Sequence, residues 1–251
     1  MKNTISQISL LTLLLLPITA CSFSQDISKA LPDFDRIVAG PYIELTLNQG
    51  EHETIGVTAE NVSLDDVIIK VKHGTLKIYL EDWHKHEIIK KDSKKFKADQ
   101  YRNSRVYATV TFDQIKTLVA MGEENIRSDS NIENDKFRLR IYGEAKVYLK
   151  GLEARKLKTK LFGENEVTIQ SGEIVNHKSR LFGENDLDLI NVHSQKAKCT
   201  SFGENEFAAS SEKKFRVISF GESEFNQHGS AKIHKTIVLG ENKYCYAYSP
   251  Q

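Results

Sequence analysis

The sequence predicts an all-β fold, a single-stranded right-handed parallel β-helix (β-solenoid) with coils of about 20 residues. Three linked observations predict it. Glycines recur at Gly122, Gly143, Gly163, Gly183, Gly203, Gly221 and Gly240, at spacings of 21, 20, 20, 20, 18 and 19 residues. Each follows an apolar residue (Met121, Tyr142, Phe162, Phe182, Phe202, Phe220, Leu239) and precedes a glutamate. Four places after each comes Ile126, Val147, Val167, Leu187, Phe207, Phe225 or Tyr244. A period near 20 is too short for helical hairpin repeats or propeller blades, and the leucine-rich repeat pattern is absent. Coils stacked about 4.8 Å apart would make a rod of roughly 30 Å, and the right-handed crossover is the default.

The corner itself, LFGEN at 161–165 and 181–185 and SFGEN at 201–205, can be resolved by strand parity. Side chains alternate along a strand, so the apolar residue four places after the glycine and the Asn two places after it share one side. The glutamate takes the other. The apolar residue just before the glycine has the parity of the glutamate. Placing it inside requires the glycine to reset the alternation, which a residue tolerant of positive φ can do. On this reading Gly163, Gly183, Gly203 and Gly221 are structural corners. Phe162, Phe182, Phe202 and Phe220 form an internal aromatic ladder, and Asn165, Asn185, Asn205 and Asn242, with Ser223 substituting once, satisfy the inside of the turn.

Taken from the N-terminus, residues 1–20 have the form of a signal peptide: Lys2, an apolar run over Ile8–Leu16, then Ile18-Thr19-Ala20-Cys21. The run is too short for a membrane-spanning helix. Its small-small-Cys ending resembles a bacterial lipobox, which implies cleavage before Cys21 and lipid on its thiol and new amino group. An ordinary secretory signal with an incidental cysteine is the alternative. Ser22, rather than Asp, favours the outer membrane by the same resemblance. Residues 21–33 are expected to be a tether and 34–251 the domain. Within it, residues 34–80 alternate as short strands with Gly50 and Gly74 at turns, and 105–120 lead into the first glycine corner. Between them, WHKHEIIKKDSKKFKADQYRNSR at 83–105 carries eight Lys/Arg against three acids and interrupts the pattern.

The formal charge of the whole chain is +1 and falls to zero when Lys2 is removed with the signal. A neutral chain offers no electrostatic case for nucleic acid. The remaining 230 or so residues suit one all-β domain. Cys199 and Cys245 lie in coils too far apart to bridge easily, so both are expected as free, packed thiols. His84 and His86 lack a third ligand, and His177 and His234 are expected to be ordinary exposed residues.

FDRIVAG at 34–40, YIELTLNQG at 42–50, GTLKI at 74–78 and VTFDQIKTL at 110–118, running into the glycine-cornered repeats, resemble the bacterial head GIN domain family of auto-transporter adhesin heads. The resemblance covers about residues 34–246. It implies a right-handed β-helix exported to the envelope, and it brings no catalytic residues. The regular Gly-Glu-Asn corners and the charged insertion depart from the looser family pattern.

Two outward acidic columns are the candidate chemistry: Glu164, Glu184, Glu204 and Glu222, and beside them Glu166, Asp186, Glu206 and Glu224. Like charges about 4.8 Å apart repel by about 0.9 kcal/mol in a water-like dielectric. Six pairs approach about 5 kcal/mol before screening, comparable with a domain's stability. Splayed side chains, salt, or lysines such as Lys146 and Lys243 relieve this, and a bound calcium ion is the sharper remedy. Glycoside hydrolysis also uses two carboxylates, but it needs one differentiated pair, whereas these acids recur in every coil. The sequence therefore implies no cofactor, no resident metal and no catalytic residue. Its reading is a non-enzymatic envelope lipoprotein whose solenoid surface serves binding, adhesion or scaffolding. The partners expected are the membrane through the lipid anchor, then envelope glycans, lipids or surface proteins. A carbohydrate-active enzyme using outward carboxylates is the alternative.

Overall fold

A computed structural model describes residues 25–81 and 101–247. Cys21, the signal segment, His84, His86 and most of the charged insertion lie outside the described residues. The chain forms a β-solenoid of about six turns with coils of roughly 20 residues. Fourteen strands make one continuous sheet. A 3-10 turn at Leu64–Asp66 is capped by the Ser63 hydroxyl, which accepts from the Asp65 N–H at 3.2 Å.

The repeat region consists of β9 (Asn125–Gly143), β10 (Lys146–Ile169) and β11 (Gly172–Phe220), which wind as coils and pair in parallel. Register repeats every 20 residues: Tyr142 pairs with Phe162 and Phe162 with Phe182, Gly143 with Gly163 and Gly163 with Gly183. Strands β12 (Ser223–Gln227), β13 (Ile233–Leu239) and β14 (Asn242–Tyr246) complete the C-terminal end, again in parallel.

The N-terminal part mixes two pairing modes. Strands β2 (Arg36–Ala39) and β3 (Ile43–Gln49) join the parallel stack. Antiparallel pairs flank them: β4 (Thr54–Glu60) between β1 (Gln25–Ala30) and β7 (Arg105–Phe112), and β5 (Val67–Lys72) against β6 (Thr75–Leu80). Strand β8 (Thr117–Gly122) then starts the glycine corners. The β5–β6 hairpin closes through His73 (φ 51°) and Gly74 (φ 66°), the two positive-φ residues that a tight two-residue turn needs. Within the segment expected as a tether, Gln25–Ala30 form a strand. Sheet pairing against β4 satisfies a backbone that a free linker would leave to water.

One continuous core fills the coils, from Ile37 and Leu45 through Leu139, Leu161 and Leu181 to Phe207, Phe215 and Phe225. Toward the C-terminus its centre turns polar. Gln227 is fully buried and fully satisfied: its Nε2 donates to the Ser211 and Ala231 carbonyls (2.6 and 2.9 Å), and its Oε1 accepts from the Ser211 N–H at 3.1 Å.

Three expectations need correction. The alternation is not reset at the glycine. Leu161, Leu181, Ser201 and Ser219, two places before each corner, are buried, and the aromatic residue after them points outward. The corner spans three outward positions (162–164, for example), so the parity on either side stays in phase. With G−2, G−4 and G−6 all inward, His177 is buried at 3% exposure rather than lying on the surface. Burial pushes its imidazole down to about 3. Cys199 is buried, but Cys245 is exposed on β14, which among the described residues pairs on one side only, with β12.

Candidate functional surface

Each corner is built by contact between glycines. Gly183 has φ +108°, and a Cβ added there would stand 2.3 Å from the Gly163 carbonyl oxygen. Both the left-handed backbone and the close approach exclude a side chain. Inside the corners, Asn165, Asn185 and Asn205 form the expected amide ladder. Asn165 Nδ2 donates to Asn185 Oδ1 at 2.8 Å, and Asn185 Nδ2 donates to Asn205 Oδ1 at 2.9 Å. Asn165 Oδ1 accepts the Ala145 N–H at 3.1 Å, and Asn205 Nδ2 donates to Ser201 Oγ at 3.0 Å. Ser223 continues the column through the Ser201 hydroxyl at 2.7 Å. At the first corner Glu124 takes the Asn position and accepts the Tyr42 N–H at 2.5 Å; partial burial raises its carboxyl.

Outside, the aromatic residues form a rail. Tyr142, Phe162, Phe182, Phe202 and Phe220 stack with centroids 5.1, 4.7, 5.0 and 4.9 Å apart and planes within 7°. Ring faces cover one another and the edges meet water: Tyr142 and Phe202 are each 37% exposed. Each stacked pair contributes about 0.5–1.5 kcal/mol, so these rings zip the coils together along the outside.

Beyond the rail stand the predicted acids. Glu164, Glu184, Glu204 and Glu222, with Glu166, Asp186 and Glu206, are exposed, and Glu224 is half-buried. A shallow depression of about 410 Å³ lies among Glu164, Glu166, Glu184, Asp186, Glu204 and Lys146. Relief of the repulsion is local: Lys146 pairs with Glu166 at 3.0 Å, and Asn226 Nδ2 donates to Glu206 at 2.8 Å. Desolvation, then the neighbouring Glu206, Asp188 and Glu166 charges, push the Asp186 carboxyl up to about 6. The acids stand in parallel columns. Among the described residues no three His, Cys, Asp or Glu side chains converge as metal ligands.

On the opposite side of the rail lies a feature that the sequence reading passed over. The outward positions before each corner are basic: Arg138, Lys158 and Lys178 are register partners, as are Arg140, Lys160 and Arg180. The signal was present in KFRLRI, KLKTKL and HKSRL, at 136–141, 156–161 and 177–181, as Lys or Arg at alternate positions. It becomes visible once the rail is known to face out, because cations and rail then share one parity. The wall thus carries three axis-parallel stripes: basic, aromatic and acidic.

Among solved structures, a putative adhesin from Bacteroides fragilis NCTC 9343 superimposes with a TM-score of 0.69 at 15% identity, covering 88% of this chain and 97% of that one. A putative lipid binding protein from Parabacteroides distasonis ATCC 8503 gives 0.63 at 15% identity, over 90% and 97%. A putative adhesin from the same organism gives 0.62 at 14%, over 90% and 98%. These likenesses establish the solenoid fold. No curated protein matches the chain. The family model described as "Putative auto-transporter adhesin, head GIN domain" matches residues 33–231, and the chain belongs to that family.

Proposed function

We propose that this protein is a non-enzymatic envelope lipoprotein, anchored through Cys21 in the outer membrane, whose rigid solenoid wall serves binding, adhesion or scaffolding. One observation carries the surface reading: the same outward side chains recur in coil after coil, in flat stripes. A periodic wall suits repeated or extended ligands, whereas catalysis needs one differentiated group in a defined pocket. Family membership supports a surface role. Structural neighbours named as adhesins and as a lipid-binding protein make surface molecules and lipids the classes to screen. The carbohydrate-active alternative is not favoured, because its acids stand in columns rather than as a unique pair.

Two experiments test the reading. Radiolabelled palmitate incorporation that disappears in Cys21→Ala supports the anchor, and labelling retained in that variant rejects it. Glycan-array and lipid-overlay binding by the soluble form beginning after Cys21 tests the surface. Absence of any bound class leaves only the scaffold.

A further inference from the structure

The basic stripe is organised as a trough. Arg138, Lys158 and Lys178 form one wall and Arg140, Lys160 and Arg180 the other, enclosing a depression of about 320 Å³ that continues past Lys198. Along each wall cations repeat at the coil spacing of about 4.8 Å, and two residues of strand, about 7 Å, separate the walls. Lys158, Lys178 and Arg180 are exposed, and the other three are half-exposed.

Some cations elsewhere on the molecule are ion-paired, namely Arg105 with Glu44, Lys116 with Asp35, Arg127 with Asp129, Lys136 and Arg155 with Asp135, and Lys146 with Glu166. Among the described residues none of the six trough cations forms an ion pair. The chain as a whole is near neutral, yet these six cations stand together in register on one wall. Aligned like charges repel along the trough, and a polyanion lying in it would relieve every pair at once.

We propose that this trough binds an acidic polysaccharide laid parallel to the solenoid axis. The inference rests on the surface-binding reading above and assigns its ligand class and face. The trough is linear and only one side chain wide on each wall, which suits one extended chain bearing an anion at each step. Single-stranded nucleic acid gains affinity by stacking bases on free ring faces, but the adjacent rail has its faces occupied by its own rings. A bilayer surface is engaged by apolar side chains free to insert beside the cations, whereas the adjacent rings are held in their own stack and present only edges to water.

The test uses the soluble form beginning after Cys21 with four probes: polygalacturonate, neutral dextran, phosphatidylglycerol-containing vesicles and oligothymidylate. Polygalacturonate is expected to bind, dextran not at all, and binding to weaken steeply as salt shortens the Debye length. The triple variant Lys158→Glu/Lys178→Glu/Arg180→Glu should lose more than about tenfold in affinity. Lys70→Gln/Lys72→Gln, exposed on β5 away from the trough, should match the wild type. If charge reversal impairs folding, the neutralising variant Lys158→Gln/Lys178→Gln/Arg180→Gln replaces it, with a smaller loss. Vesicles bound in place of polygalacturonate, oligothymidylate bound as tightly, or affinity untouched by the basic variants would each overturn the proposal. Glycan-array binding that survives while polygalacturonate fails sinks this assignment alone, whereas a blank array together with a blank lipid overlay sinks the binding reading itself and leaves only the scaffold.

Discussion

Replacing Asn185 by Leu tests whether the corner amides act as one coupled ladder. The substitution keeps nearly the same volume and removes two buried hydrogen bonds, at 2.8 and 2.9 Å. It leaves Asn165 Nδ2 and Asn205 Oδ1 without partners in a site where Asn185 is 4% exposed. Each orphaned group costs about 1–3 kcal/mol, and the added apolar burial returns part of that, so a net loss of about 2 kcal/mol is expected. For a chain of this size that corresponds to a drop of about 4–8 °C in Tm. The triple variant Asn165→Leu/Asn185→Leu/Asn205→Leu distinguishes a ladder from three separate bonds. It removes both partners of each internal amide pair, which is nearly neutral, and orphans the Ala145 N–H at one end, while at the other the Ser201 hydroxyl keeps Ser223 and the Phe202 carbonyl loses one long bond. Its cost should stay near that of the single variant. Urea unfolding followed by circular dichroism, with the m-value checked for constancy, measures both. A triple loss close to three times the single loss would refute the coupled ladder.

Other consequences are simpler to check. Leu181→Ser should prevent folding, because Leu181 is fully buried, whereas Phe182→Ser on the outer rail should cost about 1–3 kcal/mol, from two stacked pairs, and leave a folded protein; equal damage from both would return the ring to the core. His177 is buried neutral against Thr159, Ser179 and Phe207. Its folded pKa of about 3 lies below the unfolded value, so the unfolded state takes up the proton first. Stability present above pH 6.5 is then lost as the pH falls, by about 2 kcal/mol at pH 5. Asp186, with its raised carboxyl, works in the opposite direction, so the informative quantity is the stability of the wild type minus that of His177→Leu. That difference should shrink by about 2 kcal/mol between pH 7 and pH 5, and a constant difference rejects the assignment. In the soluble form, one thiol, Cys245, should react with a disulfide reagent in the native state. Cys199, buried and with its thiol pushed up, should react only on unfolding.

Much of this architecture was legible in the linear chain because a solenoid is nearly one-dimensional. A 20-residue glycine period is the coil, and the Asn repeated in three successive corners, at 165, 185 and 205, must find its hydrogen bonds in the neighbouring Asn. The asparagine ladder, the outward acids and the hairpin at Gly74 therefore follow from local rules and repetition. What repetition could not decide was how the chain passes through the glycine. Two placements of the aromatic residue satisfy the same periodicity, one with the alternation reset and one with three outward positions in a row. Only the folded coil selects between them: Leu161 and Leu181 fill the interior, so the rings must stack outside. That single choice also buries His177 and brings the lysines and arginines before each corner onto one wall. The antiparallel strands at the N-terminal end, and the exposure of Cys245 on a strand that among the described residues pairs on one side only, were likewise tertiary outcomes, because pairing partners and chain ends are set by what stacks against them. Thus the sequence by itself determined the repeat, the corners and the amide ladder, and the tertiary structure decided which stripe of the wall faces out.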